Sequence, residues 1–137
     1  MPKPVARDIL ETCLYVNDLE AAERFYTDIV GLTFVAREKG RHVFFRCGDR
    51  MLLLFSPEAT DEESADDTIP PHGTRGAGHV AFSIQADELQ SWRDHLKAHG
   101  VEVEAEVQSG KRGRSLYFRD PSGNSLEVAP PVIWGIE

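Results

Sequence analysis

Two heptapeptides constrain this chain more than any other feature. Residues 40–46 read GRHVFFR and residues 113–119 read GRSLYFR. Gly, Arg, Phe and Arg coincide, and Val43/Leu116 and Phe44/Tyr117 are conservative pairs. Each stretch runs through a Gly-containing turn into a short apolar strand ending at proline, MLLLFSP and NSLEVAP. At the same spacing Leu54 stands opposite Glu127 and Pro57 opposite Pro130. A unit of roughly 50 residues holds too small a core alone, so two such units are expected to pack together.

The flanks support the repeat. ILETCLYV (9–16) alternates Thr12, Leu14 and Val16 against Glu11, Cys13 and Tyr15, and GHVAFSI (78–84) alternates Val80, Phe82 and Ile84 against His79, Ala81 and Ser83. Both are half-buried strand patterns. Each feeds a helix. Asn17 or Asp18 caps the first, with apolar residues at helical spacing up to Gly31; Asp87 caps the second, with Leu89, Trp92 and Leu96 before Gly100. TFVARE (33–38) and VEVEAEV (101–107) complete a strand-helix-strand-strand-strand order in each half. The expected organisation is a first module over 8–57, an acidic Pro- and Gly-containing linker over 58–76, a second module over 77–130 and a tail over 131–137. The linker reads either as a solvated connection or as a lid over a pocket.

One helix covers only one face of a sheet. The apolar set, including Leu14, Val16, Phe82, Ile84, Leu126 and Val128, takes the helices. The other face carries Glu11, Cys13 and Tyr15 in one module and His79, Ser115, Tyr117 and Glu127 in the other. Glu127 alone reads as a carboxylate on a wet face. Yet its repeat partner is Leu54, and Leu52, Leu54 and Phe44 are odd residents of a wet face. A mixed apolar and ionisable face suits a pocket. One imidazole (His79) and two carboxylates (Glu11, Glu127) meeting there suit a hard or borderline divalent cation, Mn, Fe, Ni, Zn or Mg, with positions left open. That meeting assumes the halves pair with rough two-fold symmetry.

A net charge of −8 and no Lys/Arg cluster argue against nucleic acid, and an anionic chain gains nothing at an anionic membrane. No apolar run approaches a membrane span. MPKPVARDIL lacks the apolar core of a signal peptide, and two cysteines, Cys13 and Cys47, allow one bridge at most, so a cytoplasmic protein is expected.

ETCLYVNDLEAAERFYTDIVGL, GHVAFSI and LYFRDPSGNSLEV together resemble the vicinal oxygen chelate superfamily, which includes lactoylglutathione lyase, extradiol dioxygenases, fosfomycin-resistance thiol transferases and bleomycin-resistance proteins. The likeness runs from Ile9 to Pro130. It implies an α+β fold in which two βαβββ modules pair into an open, half-barrel-like mixed sheet with helices on the outer face. It also implies metal ligands at Glu11, His79 and Glu127, Leu54 or Leu53 standing at a fourth place that the lyases fill with a carboxylate or amide. Glu11 stands where three-ligand relatives have His. Tyr117 resembles the family's pocket aromatic, or is a packed strand residue. His42 and Arg114 either serve as proton shuttle and anion clamp or are structural; Tyr15 is a further substrate contact, and Glu127 or Glu11 a base.

Three functions follow. The first is a divalent-metal lyase or isomerase acting on a small molecule with neighbouring oxygens. The second is an extradiol Fe(II) dioxygenase for catechols. The third is a metal-free binding protein that sequesters a bleomycin-like drug. A homodimer is implied by the resemblance.

Overall fold

The computed structural model describes residues 3–61 and 68–136, in two compact units that divide between Arg75 and Gly76. The first holds β1 (Glu11–Tyr15), α1 (Leu19–Phe25), β2 (Thr33–Glu38), β3 (His42–Cys47), β4 (Arg50–Phe55) and the single-turn α2 (Pro57–Thr60). The second holds β5 (His79–Ser83), α3 (Leu89–Ala98), β6 (Ala105–Gln108), β7 (Arg114–Arg119) and β8 (Ser125–Ala129). Each makes one four-stranded mixed sheet, ordered β1-β4-β3-β2 and β5-β8-β7-β6. In both, the first strand lies parallel to the last and the remaining pairs are antiparallel. The duplicated α+β architecture read from the heptapeptides is the observed one.

Strand alternation places the cores. Leu14, Val16, Val43, Phe45, Leu52 and Leu54 bury against Ala22 and Tyr26, while Phe82, Leu116, Phe118, Leu126 and Val128 bury on the face that takes Leu96 of α3. Each fully buried side chain of this size contributes roughly 1.5–3 kcal/mol. Asp18 caps α1 by accepting from the Ala21 amide. The helix then widens into a π turn over Tyr26–Val30 and stops at Gly31, whose φ of 86° suits only a residue without a Cβ. That turn brings the buried Tyr26 ring to 5.9 Å from Phe45. The second helix departs from expectation at its start. Gln85 and Glu88, not Asp87, make the cap, a capping box around the 3₁₀ turn Ala86–Glu88.

Two further differences concern the repeat and the linker. Phe44 pairs across its hairpin with Leu53, and Tyr117 pairs with Glu127. The second hairpin turn is one residue longer, so the structural counterpart of Glu127 is Leu53 and not Leu54, which is fully buried on the helix side. The acidic segment is not a plain tether where it is described. His72 donates its amide to the Thr60 carbonyl at 2.8 Å, and Arg75 pairs with Asp61 at 2.6 Å. These bonds close the segment at its neck; residues 62–67 of the expected linker or lid lie outside the described residues. Among the described residues no helix is long and apolar enough to cross a membrane.

Candidate metal and substrate site

β8 lies inside its sheet, between β5 and β7, so Glu127 sits between Ala81 and Tyr117. It points away from α3, yet only 6% of it is exposed. His79 explains part of this cover. Its Nε2 lies 3.3 Å from Glu127 Oε1, and its ring lies nearly parallel to that of Tyr117, 6.1 Å away. Burial pushes the Tyr117 phenol above its ordinary pKa, and a hydrogen bond to Glu127 and the Glu127 charge push it further.

The other ring nitrogen of His79 fixes what this cluster can do. Nδ1 lies 2.9 Å from the Ser125 carbonyl, which only accepts, so Nδ1 carries the proton. In the neutral ring Nε2 then keeps a lone pair aimed at the carboxylate's neighbourhood. A separation of 3.3 Å suits two arrangements. A protonated imidazole donates to Glu127, or both groups turn to one cation: ligands about 2.0–2.2 Å from an ion are that far apart when they subtend about 100–110°. The donor set, one imidazole and one carboxylate, fits a hard or borderline divalent ion.

The Asp120–Asn124 turn holds this geometry. Asp120 Oδ1 accepts from the Ser122 and Asn124 amides, both at 2.9 Å, and Asn124 Nδ2 donates to Asp120 Oδ2 at 2.9 Å. Asn124 Oδ1 accepts from the Gly78 amide at 2.8 Å, and the Ser125 amide donates to the Gly78 carbonyl at 2.9 Å. The turn thereby fastens the residue before His79 to the start of β8. This role is longer-range than the turn chemistry legible in DPSGN.

In the first unit the face opposite α1 carries Glu11, which is exposed and in register with Met51, then Cys13 opposite Leu53, then Tyr15 opposite Phe55. His42 also lies on this face, paired with Phe55 and stacked on Phe44 at 3.9 Å and 7°. Burial lowers its pKa below the ordinary 6.5. Tyr15 bonds through its hydroxyl to His72 Nδ1 at 2.5 Å. His72 is therefore held against the sheet. A groove of about 760 Å³ in this unit includes Asp18, Arg37, Lys39 and His42 among its walls but none of Glu11, Cys13 or Tyr15. It does not coincide with the ionisable face.

Arg114 does not join the cluster. It shares its side of β7 with the buried Leu116 and Phe118 and lies 3.6 Å from Glu106, which α3 also holds through Arg93. The arginine on the Tyr117 side is Arg119, bound by both nitrogens of its fork to Glu104 and by the third to the Gly123 carbonyl. Its repeat twin Arg46 gave a signal in the sequence: both close their heptapeptides at the same strand parity. Among the described residues no group of three or more His, Cys, Asp or Glu that could hold a metal is assembled. The structure brings His79, Tyr117 and Glu127 together and leaves Glu11 on the first unit.

Two like units, each a four-stranded sheet with one principal helix, and a His-carboxylate pair on the opposite face of one, define a duplicated-module fold with a candidate metal-ligand pair. Residues 8–128 match the Glyoxalase/Bleomycin resistance protein/Dioxygenase superfamily, and the chain belongs to it. Among solved structures it resembles a lactoylglutathione lyase from Agrobacterium tumefaciens, with TM-score 0.90 and 42% identity over 98% of this chain and 100% of that one. Among curated proteins it is 30% identical to glutathione transferase FosA of Serratia marcescens, over 84% of this chain and 74% of FosA. It is 28% identical to metallothiol transferase FosB of Staphylococcus saprophyticus, over 82% of this chain and 70% of FosB.

Proposed function

We propose that this protein is a divalent-metal-dependent enzyme, of the lyase or isomerase kind, acting on a small molecule with two neighbouring oxygens. His79, Glu127 and Glu11 would hold the ion, with Glu11 supplied by the first unit of the same chain or of a second copy in a homodimer. The observation that carries this reading is the His79 ring: Nδ1 committed to the Ser125 carbonyl, Nε2 3.3 Å from a nearly buried carboxylate. The metallothiol transferase among the relatives supports the metal. The relation to a lactoylglutathione lyase supports the reaction class.

A bound divalent ion supplies Lewis-acid polarisation of the substrate oxygens. The chain's own residues do the rest. Glu127 or Glu11 accepts a substrate proton. Tyr117 donates its phenol proton to Glu127 and so holds the carboxylate in place. Tyr15 and His42 are the first unit's candidate substrate contacts, and Arg114, turned toward Glu106, is left out. Manganese-loaded protein should gain several degrees in Tm from acetohydroxamate, which presents two neighbouring oxygens, because a ligand at 100 times its Kd stabilises by about 2.7 kcal/mol. No gain over metal-free protein would contradict the chelation reading.

A further inference from the structure

The two units differ most where their repeats align. Tyr15 and Phe55 face each other in the first unit, and His42 pairs with Phe55 from the other side. At the corresponding places the second unit has Ser83 opposite Ala129, with Ser115 as the heptapeptide twin of His42. One row carries three rings; the other carries only small side chains. Phe44 extends the ringed row by stacking on His42 and meeting Phe55 edge-on at 5.7 Å, and His72 meets Phe55 edge-on at 4.9 Å.

A second core would account for such a cluster only if it were closed. It is not. Tyr15, His42, Phe44 and His72 are each half-buried around Phe55, itself 6% exposed, whereas Val43 and Phe45, on the helix side of the same strand, are 1% and 0% exposed. None of these five side chains is a carboxylate, a lysine or an arginine. His42 Nδ1 is buried without a hydrogen-bond partner, so a proton added there would leave a charged donor unsatisfied, and burial already disfavours the imidazolium. Tyr15 and His72 satisfy each other. Such a surface recognises a ring by offset and edge-to-face contact.

We infer that the face formed by Tyr15, His42, Phe44, Phe55 and His72 binds a planar, uncharged aromatic group of the substrate. This deepens the substrate site proposed above and rests on that reading for its biological role, but the binding itself needs no metal. The test is therefore run on chelator-treated full-length protein with 2-naphthol, a fluorescent probe whose single oxygen cannot chelate. Saturable binding is expected. Tyr15→Ser and His42→Ser, which install the second unit's residues, should each weaken it about ten-fold. Phe34→Ala, which removes an exposed ring stacked on Arg37 at 4.6 Å outside this face, should leave it unchanged. Absence of saturation up to the probe's solubility, an unchanged affinity in both serine variants, or an equal loss in Phe34→Ala would overturn the inference. Where a serine variant fails to fold, proton NMR of the wild type decides: the probe moves the Phe44 and His42 ring signals, or leaves them and the inference fails. Naphthol binding by a protein that takes up no metal would keep this inference and remove the metal reading; metal uptake without naphthol binding would do the reverse.

Discussion

Replacing Asn124 by alanine removes an amide that is only 1% exposed and that ties the β7–β8 turn to the start of β5. Two bonds go. The Nδ2 donor to Asp120 Oδ2, at 2.9 Å, serves a carboxylate that is itself 4% exposed; such bonds to charged groups contribute about 1.5–3 kcal/mol. The Oδ1 acceptor of the Gly78 amide, at 2.8 Å, contributes about 1 kcal/mol more. Allowing for water entering the space, the variant should lose about 2–4 kcal/mol, read as a lower urea midpoint with an unchanged slope by far-UV circular dichroism. The functional consequence is separate and equally measurable. With the Gly78 amide released, the His79 Nδ1 bond to Ser125 should loosen, and ¹⁵N NMR should report a tautomer mixture in place of one Nδ1–H form. A loss below about 0.5 kcal/mol, or an unaltered His79 tautomer, would refute the claim that this turn positions the histidine.

Three other outcomes follow from the same geometry. The folded His42 ring titrates below 6.5, so the unfolded chain takes up its proton first and stability is lost as pH falls from about 6.5 through the folded value; NMR titration checks the midpoint, and His42→Phe should remove that component of acid sensitivity. Tyr117 runs the opposite way: its folded pKa lies above 10.0, so stability falls as pH rises beyond 10, and the absorbance titration at 295 nm should lose a component ionising above 10 in Tyr117→Phe. Arg114→Ala should change stability by no more than about 0.5 kcal/mol and leave metal content untouched, since its partner Glu106 is a solvent-screened carboxylate on the α3 side; a loss of metal would contradict that placement.

The duplicated architecture was legible because strand parity and the twin heptapeptides are local patterns that packing respects. Glu127 stands out in the sequence as a carboxylate with an apolar twin, which constant spacing puts at Leu54 and the resemblance leaves at Leu54 or Leu53. One extra residue in the second hairpin shifts the register from Leu54 to Leu53, and constant spacing cannot register an insertion. Of the two roles open to Arg114, its parity with Leu116 and Phe118 favours the structural one, on the α3 face. Nothing local announces the π turn at Tyr26–Val30, which serves the packing of Tyr26. The Tyr15–His72 bond joins residues far apart in sequence and had no pattern to betray it.

The metal reading rests on Glu127 more than on any other side chain, and elemental analysis by mass spectrometry of gently purified wild type beside Glu127→Ala tests it most directly. The account predicts close to one divalent transition metal per chain in the wild type, retained through gel filtration, and its loss in the variant. Wild type that stays metal-free even after anaerobic reconstitution, or a variant that keeps the metal, would contradict it.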